Sequence, residues 1–207
     1  MLDKEIVLVG YSGHGYVVAE AAKSCGISIK YYSDLNELYE NPFRLEYLGF
    51  EKDLSFQGWN DKYTFILGLG DNKIRLETFN LIRSKDLEIL NVIHHSASIS
   101  KNISLGHGNF IARNVSINPL VVIKDCCIIN TGSIIEHECT IGTGVHIAPG
   151  AVLLGNVTIG ERTFVGANSV IKQGVIIGKD VIIGAGSIVL NDIQDGKKVV
   201  GNPSREI

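Results

Sequence analysis

Three ionisable side chains stand together in an otherwise apolar stretch of the chain. Glu136, His137 and Glu138 interrupt the segment SIIEHECTIGTGVHIAPGAVLLGN (133–156), which is otherwise mostly Ile, Val, Gly, Ala and Thr. General acid–base catalysis uses a histidine beside a carboxylate, because the carboxylate orients an imidazole that exchanges protons near neutral pH. A second histidine, His146, follows nine residues later. Taken alone, the cluster is either a proton-transfer site or a solvated corner of the fold.

The segment belongs to a repeat of six residues. From Ile93 onward every sixth residue is aliphatic, at 17 successive positions and without an insertion: Ile93, Ile99, Leu105, Ile111, Ile117, Ile123, Ile129, Ile135, Ile141, Ile147, Leu153, Ile159, Val165, Ile171, Ile177, Ile183 and Val189. A helical face has a period of 3.6, so this period instead predicts short strands joined by tight corners. Single units of this size cannot bury their apolar face, but stacked units can.

Each hexad also has a preferred small residue and a preferred glycine. The fifth position is mostly small or β-branched, with Asn109 as the polar exception, so we expect positions 1 and 5 to point inward. The second position is often glycine, at Gly106, Gly142, Gly160, Gly166, Gly178 and Gly184. We expect these glycines to supply the corner conformation, including positive φ. Positions 2 to 4, which hold the ionisable cluster, then face outward or lie at a corner.

The first ninety residues alternate between strand and helix patterns. The segment IVLVGYSGHGYVVAEAAKSCG (6–26) predicts a buried strand, a Gly-rich turn and a helix, and YTFILGLGDNKIRLETFNLIRS (63–84) predicts the same order again. Two such turns at neighbouring strand ends would frame a ligand crevice, with helix N-termini suited to phosphate. Asp34 lies at the end of the intervening strand, a position that commonly contacts the ribose or base of a nucleotide. The glycines read G-x-x-G-x-G, so the dinucleotide fingerprint is absent and a dehydrogenase is disfavoured. A sugar nucleotide is the predicted ligand, and a purely structural turn is the alternative.

Composition narrows the class of protein. The chain has 207 residues and a net charge of −3, so it lacks the basic field of non-specific nucleic-acid binding and no nucleic-acid partner is expected. No apolar run approaches the roughly 20 residues of a membrane span, and the N-terminal MLDKEIVLVG is interpreted as a strand rather than a signal peptide. Four cysteines without C-x-x-C spacing are expected to be reduced thiols in a cytoplasmic protein.

The repeat resembles the hexapeptide-repeat family, whose members form a left-handed parallel β-helix with three hexads in each 18-residue coil. The tail VVGNPSREI (199–207) resembles the segment that closes the last coil in that family. The resemblance implies an all-β left-handed parallel β-helix over residues 91–207 with a closing tail. The alternating strands and helices before it predict an α/β Rossmann-like domain over residues 1–90, which binds a sugar nucleotide. Most members are trimeric CoA-dependent acyltransferases. The γ-type carbonic anhydrases share the fold, but the histidines here lack zinc-ligand spacing, so no metal is expected.

The whole chain resembles the NeuD/PglD-type family of bacterial sugar acetyltransferases, through GYSGHG, GLGDNKIR and IIEHECTIG. The resemblance implies that His137 is the general base and that Glu138 supports it. It implies contacts to the nucleotide sugar from Ser12, Gly13, His14, Gly70 and Asp71. It implies that Gly155 supplies a backbone donor on the acetyl-CoA side of the site. We also expect His146, Asn130 and Lys172 on that side.

Because nine residues are half a coil, His137 and His146 should lie on different faces of one subunit. A neighbouring subunit of a homotrimer would then bring its own His146 to His137, at an active site between subunits. The predicted reaction is direct transfer of acetyl from acetyl-CoA to the amine of a nucleotide-linked 4-amino-sugar in bacterial glycan biosynthesis. An O-acetyltransferase of the sialic-acid type and a non-catalytic sugar-nucleotide-binding protein are the alternatives. The nucleotide (UDP, dTDP or GDP), the sugar stereochemistry and the acyl length stay open.

Overall fold

A computed structural model describes residues 4–207, so the first three residues of the predicted N-terminal strand segment lie outside the described residues. The first part of the chain forms β1 (Glu5–Val9), α1 (Gly13–Ser24), β2 (Ile29–Ser33), β3 (Glu46–Tyr47), β4 (Tyr63–Leu67) and α2 (Asn72–Arg83). The strands form one parallel sheet in the order β3-β2-β1-β4, which confirms the predicted α/β alternation. The short β3 was not predicted. None of the helices between residues 4 and 207 is long and apolar enough to cross a membrane.

The rest of the chain is a parallel β-helix built from two-residue strands. They are β5 (Val92–Ile93), β6 (Ser98–Ile99), β7 (Ser104–Leu105), β8 (Phe110–Ile111), β9 (Ser116–Ile117), β10 (Val122–Ile123), β11 (Ile128–Ile129), β12 (Ile134–Ile135), β13 (Thr140–Ile141), β14 (His146–Ile147), β15 (Val152–Leu153), β16 (Thr158–Ile159), β17 (Phe164–Val165), β18 (Val170–Ile171), β19 (Ile176–Ile177), β20 (Ile182–Ile183) and β21 (Ile188–Val189). The second residue of every one of these strands is the aliphatic first position of a hexad, so the predicted register is confirmed without a slip.

From β5 to β18, each strand pairs in parallel with the strand three further along the chain. Ile135, for example, lies beside Leu153, which is 18 residues later. The strands therefore fall into three sheets: β7-β10-β13-β16-β19, β6-β9-β12-β15-β18-β21, and β5-β8-β11-β14-β17-β20, the last of which continues into β22 (Lys198–Val200). The aliphatic side chains fill the interior, where Ile135, Leu153 and Ile171 are fully buried. The tail then turns back as β23 (Arg205–Glu206), antiparallel to β22.

The glycines at the second position of the hexad have a structural role different from the one predicted. Positive φ occurs at the fourth position of the hexad, whatever the residue, along an unbroken series: Gly108, Asn114, Leu120, Cys126, Gly132, Glu138, Gly144, Gly150, Asn156, Arg162, Asn168, Gly174, Asp180 and Gly186. The second-position glycines have no positive φ. They are needed because the next coil lies against them: a Cβ on Gly160 would stand 2.5 Å from the carbonyl carbon of Gly178. The prediction that position 2 supplies positive φ was wrong.

The N-terminal domain is fastened to the eight-stranded sheet of the β-helix. The Asn72 side chain, at the start of α2, donates to the carbonyl of Arg162 at 3.0 Å. The Cys25 thiol, at the end of α1, donates to the carbonyl of Ile93 at 2.7 Å. Both helices of the α/β domain thus contact this sheet directly, and the Gly-rich turns before them are held at the junction.

Candidate functional site

A histidine–carboxylate pair projects from the corner that follows β12. The Nδ1 atom of His137 lies 3.0 Å from Oε2 of Glu138, and both side chains are about half exposed, at 50% and 56%. Glu138 occupies the fourth position of its hexad and has a φ of +62°, so the corner itself sets the direction of its side chain. When Nδ1–H donates to the carboxylate, Nε2 carries the lone pair and is free to accept a proton.

The ring of His137 rests on Gly155, the residue one coil further along. A Cβ on Gly155 would lie 2.5 Å from Cε1 and 2.6 Å from Nε2 of His137, so a side chain there would displace the ring. The coils are locked by the hydrogen bond from the Asn156 amide to the His137 carbonyl at 2.8 Å. The amide of Gly155 has no hydrogen-bond acceptor among residues 4–207. The Gly155 amide is therefore available to donate a hydrogen bond next to the His137 ring, whose Nε2 accepts the proton.

His14 and His146 meet at the domain junction, away from His137. His14 lies in the first turn of α1, and its ring centroid is 6.3 Å from that of His146, which belongs to β14. His146 also packs edge-on against Phe164 at 5.0 Å, and its Nε2 is 3.2 Å from the side-chain Nδ2 of Asn130. The structure thus brings together three of the predicted residues, from the substrate side and the cofactor side.

Both junction histidines are held neutral by their surroundings. Burial, followed by the nearby Arg75 cation, lowers the pKa of His14 from its ordinary 6.5 to about 4. Burial, Arg75 and His14 lower the pKa of His146 to about 3. The Nε2 atom of His14 is buried and has no hydrogen-bond partner among the described residues.

Arg75 of α2, which sequence reasoning missed, organises this junction. Its side chain is 1% exposed, and its nitrogens donate to carbonyls of both domains, including Cys126 at 3.0 Å, Gly70 at 2.9 Å and Gly144 at 3.0 Å. Each bond to a charged donor is stronger than a neutral one, which offsets the burial of the guanidinium. Arg75 therefore ties the second Gly-rich turn to the β-helix.

The predicted nucleotide residues lie in the two Gly-rich turns and at the end of β2. Ser12 is the N-cap of α1, but its side chain makes no capping hydrogen bond, and Gly13 is the first helical residue. Asp71 is the N-cap of α2 and accepts from the amides of Lys73 and Ile74. Asp34 accepts from the Tyr11 amide at 2.7 Å through Oδ2 and from the Leu35 amide through Oδ1. Asp71 and Asp34 thus shape the turns through their own backbone contacts.

His137 and His146 lie on different sheets of the β-helix. His137 follows a strand of the six-stranded sheet, whereas His146 belongs to the eight-stranded sheet that contacts the N-terminal domain. Lys172 follows β18, two coils beyond Glu136, and is exposed. Within one chain, the His137–Glu138 pair and the His14–His146 pair therefore lie on different sheets.

Three of the four cysteines are buried away from any ligand. All four are free thiols, and Cys126, Cys127 and Cys139 are buried. Burial raises the pKa of Cys126 to about 11 and that of Cys127 to about 12, so both remain protonated thiols near neutral pH. Between residues 4 and 207 no group of three or more His, Cys, Asp or Glu side chains is arranged to hold a metal ion.

The comparisons with family models agree with the two-part fold. Residues 5–82 match the model described as the PglD N-terminal domain. Residues 120–155 match the bacterial transferase hexapeptide model of six repeats, and residues 156–191 match the hexapeptide repeat of succinyl-transferase.

Solved structures resemble the whole chain. The PglB acetyltransferase domain from Neisseria gonorrhoeae, solved in complex with acetyl coenzyme A, is 28% identical, with a TM-score of 0.92 over 99% of this chain and 100% of its own. PerB from Caulobacter crescentus, in complex with CoA and GDP-perosamine, is 31% identical, with a TM-score of 0.89 over 98% of this chain and 97% of its own. WeeI from Acinetobacter baumannii shares the fold at 23% identity, with a TM-score of 0.85 over 99% of this chain and 100% of its own.

Proposed function

Because this chain belongs to the NeuD/PglD-type family of sugar acetyltransferases, we propose that it transfers acetyl from acetyl-CoA to the amine of a nucleotide-linked 4-amino-sugar. Relatives that match along their whole length are described as a perosamine N-acetyltransferase with GDP-perosamine and as an acetyltransferase domain with acetyl coenzyme A. The observation that carries the mechanism is the His137–Glu138 pair resting on Gly155. Because acetyl-CoA and sugar nucleotides are cytoplasmic metabolites, we assign the protein to the cytoplasm and to bacterial glycan biosynthesis.

His137 acts as the general base. Its Nε2 accepts a proton from the sugar amine as the nitrogen attacks the thioester carbonyl. Glu138 holds Nδ1–H, which fixes the tautomer and stabilises the imidazolium that forms. When the tetrahedral intermediate collapses, the carbon–sulfur bond breaks, and the imidazolium proton passes to the departing CoA sulfur. The products are the amide and CoA–SH, and the base is regenerated.

Gly155 supplies the oxyanion donor. Its amide has no acceptor in the described part of the protein and lies beside the ring that takes the proton. A preorganised backbone N–H at the developing oxyanion is the kind of contact that stabilises acyl-transfer transition states. The buried, protonated cysteines support a ternary complex rather than an acyl-enzyme.

The nucleotide occupies the carboxyl ends of the α/β sheet. The amides at the start of α1, next to Ser12, Gly13 and His14, receive the diphosphate, because a helix N-terminus favours an anion. Gly70 and Asp71 form the opposite turn, which Arg75 holds in place. Asp34 lines the cavity between the two turns.

Catalysis takes place between subunits of a homotrimer. The outer face of the six-stranded sheet carries a register-matched column of Ile134, Val152, Val170 and Ile188, next to His137. Apolar columns of this kind favour a protein partner over water. A neighbouring subunit would bring its Asn130 and the exposed edge of its His146 to the acetyl-CoA, with Lys172 toward the CoA phosphates. We expect sedimentation equilibrium to give a molecular mass three times that of one chain. The mass of a monomer would contradict this arrangement.

Thiol release from acetyl-CoA tests the function directly. The panel holds UDP-, dTDP- and GDP-linked 4-amino-sugars, their 4-hydroxy counterparts and free sialic acid. We expect turnover on one amino-sugar nucleotide, reduced roughly 100-fold or more in His137→Ala. The matched control is His107→Ala, because His107 is an exposed histidine at the same hexad position on another corner. Turnover on sialic acid alone would indicate an O-acetyltransferase, and a fully active His137→Ala protein would overturn the mechanism.

A further inference from the structure

A cavity of about 200 Å³ opens at the carboxyl ends of the N-terminal strands. Gly10 and Leu69, from the turns after β1 and β4, form one side, and Asp34, after β2, forms another. The central strand β1 lies between β2 and β4, so the chain reverses its direction across the sheet at this point. Open α/β sheets bind ligands at such reversal points.

A nearly buried carboxylate lines this cavity. Glu51 is 4% exposed, and its Oε2 accepts from the hydroxyl of Ser33 at 2.7 Å. Its Oε1 has no hydrogen-bond partner among residues 4–207, and Glu51 forms no ion pair there. The adjacent Lys52 pairs with Glu77 instead, at 3.6 Å. Since Oε1 has no protein partner, it is available to a ligand that enters the cavity. A ligand that presents N–H groups would donate them to this carboxylate.

The other walls are suited to a flat ring. Phe50, Leu69 and Ile74 provide apolar surface around the cavity. The carboxylate of Asp34 already accepts a backbone amide on each oxygen, from Tyr11 and Leu35, so Glu51 is the acidic side chain with an oxygen still free. The cavity therefore combines apolar side chains with one carboxylate oxygen that has no protein partner.

We propose that Glu51 recognises guanine and thereby makes a GDP-linked sugar the substrate; this inference rests on the proposed function. Guanine presents two adjacent donors, N1–H and N2–H₂, which match a carboxylate. Uracil and thymine present a single N–H between two carbonyl oxygens, which a carboxylate repels. Adenine has no ring N–H beside its amine. A site that hydrogen-bonds a ligand donor rejects an analogue that lacks it, because its own polar group is then left unpaired.

Calorimetric titration of the full chain with GDP, UDP, dTDP and IDP tests the assignment. We expect GDP to bind about 5- to 150-fold more tightly than UDP or dTDP, the range of a bidentate base contact. IDP lacks the 2-amino group and should bind several-fold more weakly than GDP. This comparison is made on the unmodified protein. Glu51→Gln should lose most of the preference for GDP over UDP. The control Asp53→Asn changes an exposed carboxyl two residues away and should retain it.

Several results would overturn the assignment. Equal binding of GDP and UDP by the unmodified protein would do so, as would a GDP preference that survives Glu51→Gln or equal binding of GDP and IDP. The proposed acetyl transfer would stand if a UDP- or dTDP-linked amino-sugar were acetylated in a His137-dependent reaction. The absence of both nucleotide binding and turnover would reject the two proposals together.

Discussion

The imidazole of His137 lies so close to the backbone of Gly155 that no side chain fits between them. A Cβ on Gly155 would stand 3.2 Å from Nδ1 and closer still to Nε2 and Cε1. Gly155 has no positive φ, so the position requires glycine for space rather than for backbone conformation. The orientation of the proposed base is therefore set by the residue one coil further along.

Gly155→Ala should reduce kcat about 100-fold while the protein stays folded. The added methyl group displaces the ring of His137 from the substrate amine, and a misplacement of about 1 Å costs a factor of this order. Thiol release measures kcat, and circular dichroism with a thermal melt verifies the fold. Gln173→Ala, at the same hexad position one coil beyond Gly155, is the control and should remain within twofold of wild type. Full activity of Gly155→Ala would refute the packing argument.

Glu138→Gln should lower kcat by about 10-fold or more and leave KM for acetyl-CoA unchanged. The amide still occupies the corner, but it cannot stabilise the imidazolium that forms in the transition state. The control is Glu136→Gln, because Glu136 is two residues away and bonds Asn118 instead of His137. Steady-state kinetics on both variants decides the matter: an equal loss in the two would mean that Glu138 has no specific role.

Arg75→Leu should lower the free energy of unfolding by about 3–5 kcal/mol. The leucine leaves the buried carbonyls of Cys126 and Gly144 and the partly buried carbonyl of Gly70 without donors, which is costly in both domains. Urea unfolding followed by fluorescence of Trp59 measures the change. Arg83→Leu changes an exposed arginine in the last turn of the same helix and should change stability by no more than about 0.5 kcal/mol. A small effect at Arg75 would show that the junction is held by other contacts.

The protein should lose stability as the pH falls from 7 to 5, through its junction histidines. His14 and His146 have folded pKa values of about 4 and about 3, below the ordinary value of 6.5. The unfolded chain therefore binds more protons below pH 6.5, so the stability present above that pH decreases on acidification. At pH 5 the two histidines together account for a loss of roughly 4 kcal/mol. Urea unfolding at each pH measures this slope.

The double variant His14→Gln, His146→Gln separates these histidines from other titrating groups. It should have a flatter dependence of stability on pH between 7 and 5, even if its stability at pH 7 is lower. His107→Ala should keep the slope of the unmodified protein, since His107 is exposed. An unchanged slope in the double variant would assign the acid sensitivity to other groups.

The repeat was predictable from the sequence because its signal is local and redundant. One aliphatic side chain per hexad marks every strand from Ile93 to Val189, and the interior needs nothing else to set the register. The purpose of the glycines was less predictable. Gly160 and its equivalents are dictated by the neighbouring coil, whose distance appears only after the chain is wound.

Arg75 shows what a single sequence leaves hidden. The buried face of α2 consists of Arg75, Thr78, Phe79 and Ile82, which follow helical spacing. An arginine in an apolar stripe was therefore a detectable signal of burial, but its carbonyl partners lie up to 70 residues away. Glu51 was hidden for the same reason, because its position in the wall of a cavity does not follow from the strand pattern.

From β5 to β21, paired residues are 18 positions apart without interruption, so each coil repeats the direction of the coil before it. Removing one hexad would rotate everything beyond it by a third of a revolution and turn the His137 corner to another side. Removing three hexads would leave every direction unchanged and lower that corner by one step of about 4.8 Å. The height of the corner relative to the N-terminal domain is therefore adjustable only in whole revolutions, and substrates of different length would be accommodated in such steps.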